Sequence, residues 1–160
     1  MSPTSVIIDD VLDPKSVSEI YKSLDESTRD TFFYEMSGKH LYDHFCLSLI
    51  NIAGQFYDVS SSVGYEFWTR INTKPSSWHQ DKDEKLFDTG ILKFPLCSIV
   101  YYCYVENLFG GRLCVEDDII TPKTNRMVIF APGISHYVED FTGDRISMLI
   151  NPWNRHVSVN

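Results

Sequence analysis

Apolar positions in the first third of the chain recur at helical spacing. Over residues 13–27, Val17, Ile20, Tyr21 and Leu24 fall three or four apart, which places them on one face of a helix. Asp13-Pro14 reads as an N-cap followed by a first-turn proline. A longer helix is predicted over 38–57, where Leu41, Phe45, Leu49, Ile52 and Phe56 recur in the same way. Past residues 60–62 the period changes. Residues 64–71 (GYEFWTRI) and 98–105 (SIVYYCYV) are aromatic and β-branched, and shorter strands are predicted at 112–116, 126–131, 135–140 and 145–150. Gly110-Gly111, Pro122, Pro132-Gly133 and Thr142-Gly143 punctuate them. Two helices followed by a run of short strands predict a mainly β protein with its helices packed outside a sandwich or barrel. The chain reads as one domain: a helical support segment (1–62), a β core (63–153) and a tail (154–160).

Composition narrows the partners. With 22 acidic and 14 basic side chains the formal charge is -8, so a phosphate backbone is not attracted and no nucleic-acid partner is expected. No apolar run is long enough to span a membrane, and residues 1–10 lack the features of a secretory leader. The four cysteines, Cys46, Cys97, Cys103 and Cys114, form no CxxC pair. Reduced, mostly buried thiols in a cytoplasmic protein are the simplest expectation.

The candidate chemistry begins at Trp78-His79-Gln80-Asp81. In an extended chain, residues two apart point to the same side, so His79 and Asp81 can converge on one ion. His136 lies 57 residues further, after Pro132-Gly133. Two histidines and a carboxylate on one face of Fe(II) leave the opposite positions open, as oxygen chemistry requires. A loop histidine beside a surface aspartate gives the same spacing. Arg145 follows the predicted turn at 142–144, and Ser147 shares its strand face. A guanidinium fork suits a carboxylate ligand, although a surface strand cation fits the same pattern. Tyr102 and Tyr104 also share a predicted face, either to donate to a ligand or to pair in the core.

Taken in order, His79-Gln80-Asp81, Tyr104 to Asn107 before Gly110-Gly111-Arg112-Leu113, Pro122, NRMVIFAP at 125–132, His136 and RISMLINPW at 145–153 resemble the 2-oxoglutarate/Fe(II) oxygenase superfamily. The nearest likeness is to the branch containing prolyl hydroxylases, over residues 64–153. The resemblance implies a double-stranded β-helix (jelly-roll, cupin-like) core. It implies Fe(II) bound by His79, Asp81 and His136, and 2-oxoglutarate and O2 as cosubstrates. Arg145 would hold the distal carboxylate, with Tyr104, Tyr102, Ser147 and Asn72 as further cosubstrate contacts. The activity implied is hydroxylation of a C–H bond with release of succinate and CO2. The substrate would be a prolyl residue of a peptide or protein, or else a small metabolite. Halogenating relatives lack the carboxylate that Asp81 supplies. One departure concerns the substrate side: Asn151 stands where prolyl hydroxylases often carry tryptophan, and the tryptophan here is Trp153. The competing expectations are a cupin-like metalloenzyme without 2-oxoglutarate and a catalytically silent jelly-roll binding module.

Other polar residues are expected to be bystanders. His40 and His44 sit four apart around Asp43, but Leu41 stands where a zinc-protease helix needs glutamate. Asp83, Glu84, Asp117 and Asp118 read as solvated loop carboxylates, His156 as a surface residue, and Gly110-Gly111 as a tight strand connection. Trp68 and Trp78 could line a substrate entrance, and residues 82–93 could form a lid.

Overall fold

Among the described residues, ten strands form two antiparallel sheets. A computed structural model describes residues 4–37, 39, 42–72 and 74–159. The elements are β1 (Ser5–Ile8), α1 (Pro14–Ser23), a 3-10 turn (Glu26–Arg29), β2 (Phe32–Glu35), α2 (Asp43–Ala53), β3 (Gly64–Ile71), β4 (Ser76–His79) and α3 (Glu84–Phe87). They continue with β5 (Ser98–Gly110), β6 (Leu113–Val115), β7 (Asp118–Ile120), β8 (Arg126–Phe130), β9 (His136–Val138) and β10 (Phe141–Trp153). The major sheet has the order β1-β8-β5-β10-β3-β2, and the minor sheet β4-β9-β6-β7.

Alternation along the major-sheet strands feeds two cores. Ile99, Tyr101, Met148 and Ile150 pack with Cys46, Leu49, Ile50 and Ala53 of α2. Val100, Tyr102, Val128 and Phe130 face Leu113, Val115 and Ile120 of the minor sheet. Burial on both faces accounts for the continuous apolar run at the start of β5. The result is a jelly-roll sandwich with helices on the outer face of its larger sheet. Among the described residues no helix is long and apolar enough to cross a membrane.

The N-terminal segment differs from its predicted form. Asp13 caps α1 as expected, accepting from Ser16 N at 3.0 Å, but α1 stops at Ser23 because Leu24 is extended and Asp25 caps the next turn through Ser27 N. The second helix begins at Asp43; Gly38, His40 and Leu41 lie outside the described residues. Strands β1 and β2, unforeseen in the sequence, form the two edges of the major sheet. Residues 1–62 are therefore not only a helical support. Nor is the C-terminal segment a loose tail, since Val157 is buried and Arg155 pairs with the buried Asp83.

Two irregularities interrupt the β5–β10 ladder. The predicted turn at Thr142-Gly143 is a bulge inside β10, with Gly143 at φ +101 and Asn107 O only 2.1 Å from where its Cβ would stand. A second shift leaves Cys103 as an extra β5 residue between Tyr102, opposite Ser147, and Tyr104, opposite Ile146. All four cysteines are free and buried, and burial pushes the Cys97 and Cys103 thiols up to about 12.

Candidate metal and anion site

Strands β4 and β9 bring His79 directly opposite His136, their rings 4.2 Å apart. Asp81 follows two residues after the end of β4. Its Oδ1 lies 3.6 Å from His136 Nε2 and 3.9 Å from His79 Nε2, and one donor atom from each residue falls within 4.8 Å of the others. The inward atoms are set by bonds behind them. His79 Nδ1 meets Ser77 O at 2.7 Å and His136 Nδ1 meets Ile134 O at 3.0 Å. A carbonyl can only accept, so each Nδ1 carries the proton and each Nε2 presents a lone pair, the arrangement common to metal-binding histidines. Ser98 Oγ donates to Asp81 Oδ2 at 2.7 Å, leaving Oδ1 toward the imidazoles. Burial opposes ionisation of Asp81, but His136, Ser98 and His79 together hold its carboxyl below the usual range. For His136, burial acts downward and is outweighed by Asp81 and the Ile134 carbonyl, so its pKa is raised. Gln80 Nε2 donates to Gly133 O at 2.7 Å, tying the loop of His79 and Asp81 to the one that leads into His136.

A cavity of about 130 Å3 runs from these three residues to Arg145 and Ser147, between apolar walls that include Leu113, Phe130 and Leu149. Arg145 is 4% exposed. Its guanidinium carbon lies 5.3 Å from the Tyr102 ring centre and 5.7 Å from that of Phe141, and no carboxylate among the described residues pairs with it. Arg145 Nε, Ser147 Oγ and Tyr102 Oη are all buried without a hydrogen-bond partner. An uncompensated buried cation beside unsatisfied hydroxyls is costly, and a carboxylate entering the cavity would relieve it.

The structure separates the two tyrosines. Tyr102 faces the inter-sheet side, beneath Arg145. The extra β5 residue at Cys103 breaks the alternation, so Tyr104 turns to the helical side, stacks on Tyr21 at 4.7 Å and donates to Glu106. Tyr104 therefore does not reach the cavity. Neither does Asn72, whose Oδ1 accepts from Arg145 N at 2.7 Å and whose Nδ2 donates to Asp144 Oδ1 at 3.1 Å. It fastens the backbone that carries Arg145. Trp68 lines the cavity, whereas Trp78 is exposed against Tyr137.

Among the expected bystanders, His44 and Glu84 are exposed, and His156 is an exposed residue set edge-on to Phe33. Asp83 is not solvated: it is 3% exposed, caps α3 and pairs with Arg155. Asp118 lies in β7 rather than a loop. Residues 82–93 hold a short helix anchored by Asp83 N to Lys93 O and by Lys85 to Ser158, and so form a tied loop.

Sequence reasoning missed Ser98, whose role depends on pairing geometry. It also missed Glu66 and Arg70, which share the inner face of β3 with Trp68. The signal was a charged residue at every second or fourth place of an aromatic strand. They line a second, polar cavity of about 200 Å3 on the other side of His79 and Asp81.

No family model matches the sequence, and no curated protein matches it. Solved structures do. A prolyl-4-hydroxylase from Pseudomonas putida superposes with a TM-score of 0.68 at 14% identity, over 95% of this chain and 93% of that one. An oxidoreductase of the 2OG-Fe(II) oxygenase family from Burkholderia pseudomallei gives 0.63 at 12%, over 98% and 87%. A viral collagen prolyl hydroxylase from Paramecium bursaria chlorella virus-1, in complex with 2OG, gives 0.61 at 12%, over 94% and 96%. The chain thus has the fold of 2-oxoglutarate/Fe(II) oxygenases. Two of these three structures are prolyl hydroxylases, and the fold is theirs as well.

Proposed function

We propose that this protein is a non-haem Fe(II)/2-oxoglutarate-dependent dioxygenase that hydroxylates a C–H bond, with a prolyl residue of a peptide or protein as the leading substrate. The carrying observation is the unpaired, buried Arg145 at one end of a cavity whose other end is the His79–Asp81–His136 cluster. A jelly-roll module without catalysis has no use for such a cation, and a cupin-like enzyme without 2-oxoglutarate would leave it uncompensated.

The donor set fits iron, with two neutral imidazole nitrogens, one carboxylate oxygen and open space on the cavity side. His79, Asp81 and His136 would hold the metal; Arg145, with Ser147 and Tyr102, would hold the far carboxylate of 2-oxoglutarate. When bound with O2, this pair supplies oxidative decarboxylation of 2-oxoglutarate to succinate and CO2, coupled to hydroxylation of the substrate. The protein's own contribution is placement. Ser98 and the Ser77 and Ile134 carbonyls fix the ligand orientations, the Tyr102 and Phe141 rings lie beside the guanidinium, and Leu113, Phe130 and Leu149 supply apolar walls.

Anaerobic titration of the Fe(II)-loaded protein with 2-oxoglutarate should develop the weak visible metal-to-ligand charge-transfer band, and His136→Ala should lose it. No band with iron demonstrably bound would reject the use of 2-oxoglutarate, and failure to bind iron would reject the enzyme reading altogether.

A further inference from the structure

Among the described residues, the second cavity contains one carboxyl that has no cation. Asp81 belongs to the cluster with the two histidines, and Glu84 Oε1 pairs with Lys82 Nζ at 3.2 Å. Glu66 stands apart. One of its oxygens accepts from Trp153 Nε1 at 2.6 Å, and among the described residues the other has no partner. Burial, assisted by the like charges of Asp81, Asp83 and Glu84, raises its pKa to about 7. Arg70 does not neutralise it. The ladder places Arg70 opposite Ser147 and Glu66 opposite Asn151, roughly 13 Å apart along the strand; Arg70 lines both cavities, but among the described residues it makes no ion pair with Glu66. Asn151 also matters here. It occupies the position where the resemblance expects tryptophan and lines the second cavity together with Glu66 and Asp81, while Trp153 holds Glu66.

We infer that the substrate carries a protonated nitrogen, an ammonium or guanidinium group, which docks on Glu66 while a neighbouring C–H bond faces His79 and Asp81. The inference rests on the oxygenase reading and adds a substrate class to it. A cation here completes the free oxygen of Glu66 and offsets the cost of burying its charge. Trp68, between Glu66 and Arg70 on the same strand face, offers an apolar surface to the carbon skeleton. A basic side chain in a polypeptide and a free amine present the same chemistry.

Isothermal titration under anaerobic conditions tests this, with protein loaded with Fe(II) and 2-oxoglutarate and, in parallel, metal-free. The probes are a capped tetrapeptide containing Lys-Pro, its norleucine-Pro and Glu-Pro counterparts, free L-lysine and free L-norleucine. In at least one series the cationic probe should bind about tenfold more tightly than the neutral one, the scale of one charge-assisted hydrogen bond. Preference in the peptides identifies a polypeptide source, and preference in the free amino acids a small molecule. Glu66→Gln keeps an acceptor for Trp153 but removes the charge, and it should reduce the preference to within about twofold. Glu84→Gln, in the same cavity but already paired, should retain it. Absence of cationic preference in both series, or its survival in Glu66→Gln, overturns the inference. The charge-transfer band reports separately on iron and 2-oxoglutarate. A missing wild-type band defeats the oxygenase reading, whereas a normal band without cation preference defeats only this one.

Discussion

Ser98→Ala is the sharpest probe of how the cluster is held. Ser98 is 3% exposed and touches the cluster only through its 2.7 Å bond to Asp81 Oδ2. Deleting the hydroxyl leaves His79, Asp81 and His136 intact but frees the carboxylate to turn about its own axis. A hydrogen bond to a charged group contributes about 1.5–3 kcal/mol. Part of that is lost equally with and without metal, because Asp81 is ionised in both states. The part that survives in metal affinity is the cost of reorienting Oδ1, and partners behind metal ligands typically account for about 10–100-fold. At about 1.4 kcal/mol per decade the upper end corresponds to about 2.7 kcal/mol, nearly the whole hydrogen bond, so about tenfold is the better expectation. Anaerobic competition for Fe(II) against a chromophoric chelator measures it, with Ser147→Ala as the comparison. Ser147 is equally buried, but its hydroxyl is unpartnered at the Arg145 end of the cavity. A folded Ser98→Ala protein whose Fe(II) affinity stays within about twofold of wild type would refute the reasoning. So would an equal loss in Ser147→Ala.

Arg145→Gln should leave Fe(II) binding intact and raise the 2-oxoglutarate concentration for half-maximal charge-transfer absorbance by about 30-fold or more, since breaking a buried charge pair costs about 2–5 kcal/mol; an unchanged midpoint removes Arg145 from the cosubstrate site. Glu66 should leave a pH signature on stability. Its folded pKa of about 7 is raised above the ordinary glutamate value of 4.5, so between these values the native state retains a proton that the unfolded chain has lost. Stability of the metal-free protein then falls as pH rises through this window and levels off above it, by up to about 3 kcal/mol. Urea unfolding of wild type and Glu66→Gln at pH about 5 and about 8 should show the variant gaining relative stability at the higher pH, and a constant difference would contradict the burial of Glu66.

The parts of the fold legible in the sequence are those with strong local periodicity. The predicted strand over 64–71 coincides with β3, and the Asp13 cap starts α1 as read. His79, Asp81, His136 and Arg145 come together because the geometry that joins them is simple: residues two apart in extended chain, and strands paired in register. What was not legible depends on partners far away in sequence. Strands β1, β2, β4 and β7 have three or four residues each and stand at the edges of the two sheets, where a neighbouring strand offers an open side. Tyr104 follows Tyr102 by two, and alternation alone puts both on the inter-sheet face. The extra residue at Cys103 shows only in the β5–β10 pairing, and it sends Tyr104 to the other side. Asp83 looks like a loop carboxylate until Arg155, 72 residues later, is folded against it. Ser98 is one of many serines until β5 passes Asp81.

The same pairing gives the site an electrical direction. From Ile146 to Trp153 the β10–β3 register runs without a shift, so Arg145, Ser147, Leu149 and Asn151 line one face in fixed order, with Arg70, Trp68 and Glu66 beside the last three. The start of that row is held by Asn72, at φ +47, which grips Arg145 by both backbone groups, through Arg145 N to its side chain and its own N–H to Arg145 O at 3.0 Å. Cations therefore stand at one end and a carboxyl at the other, with the His79–Asp81–His136 cluster between. On a chain of net charge -8 a dianion is repelled at a distance and must be drawn in locally. Arg70 and Lys74, both lining the Arg145 cavity, are placed to do this. A cationic substrate, as inferred above, would be favoured by the overall field and directed to Glu66. The two proposed ligands would thereby be sorted to opposite ends by charge, each end discouraging the other's occupant.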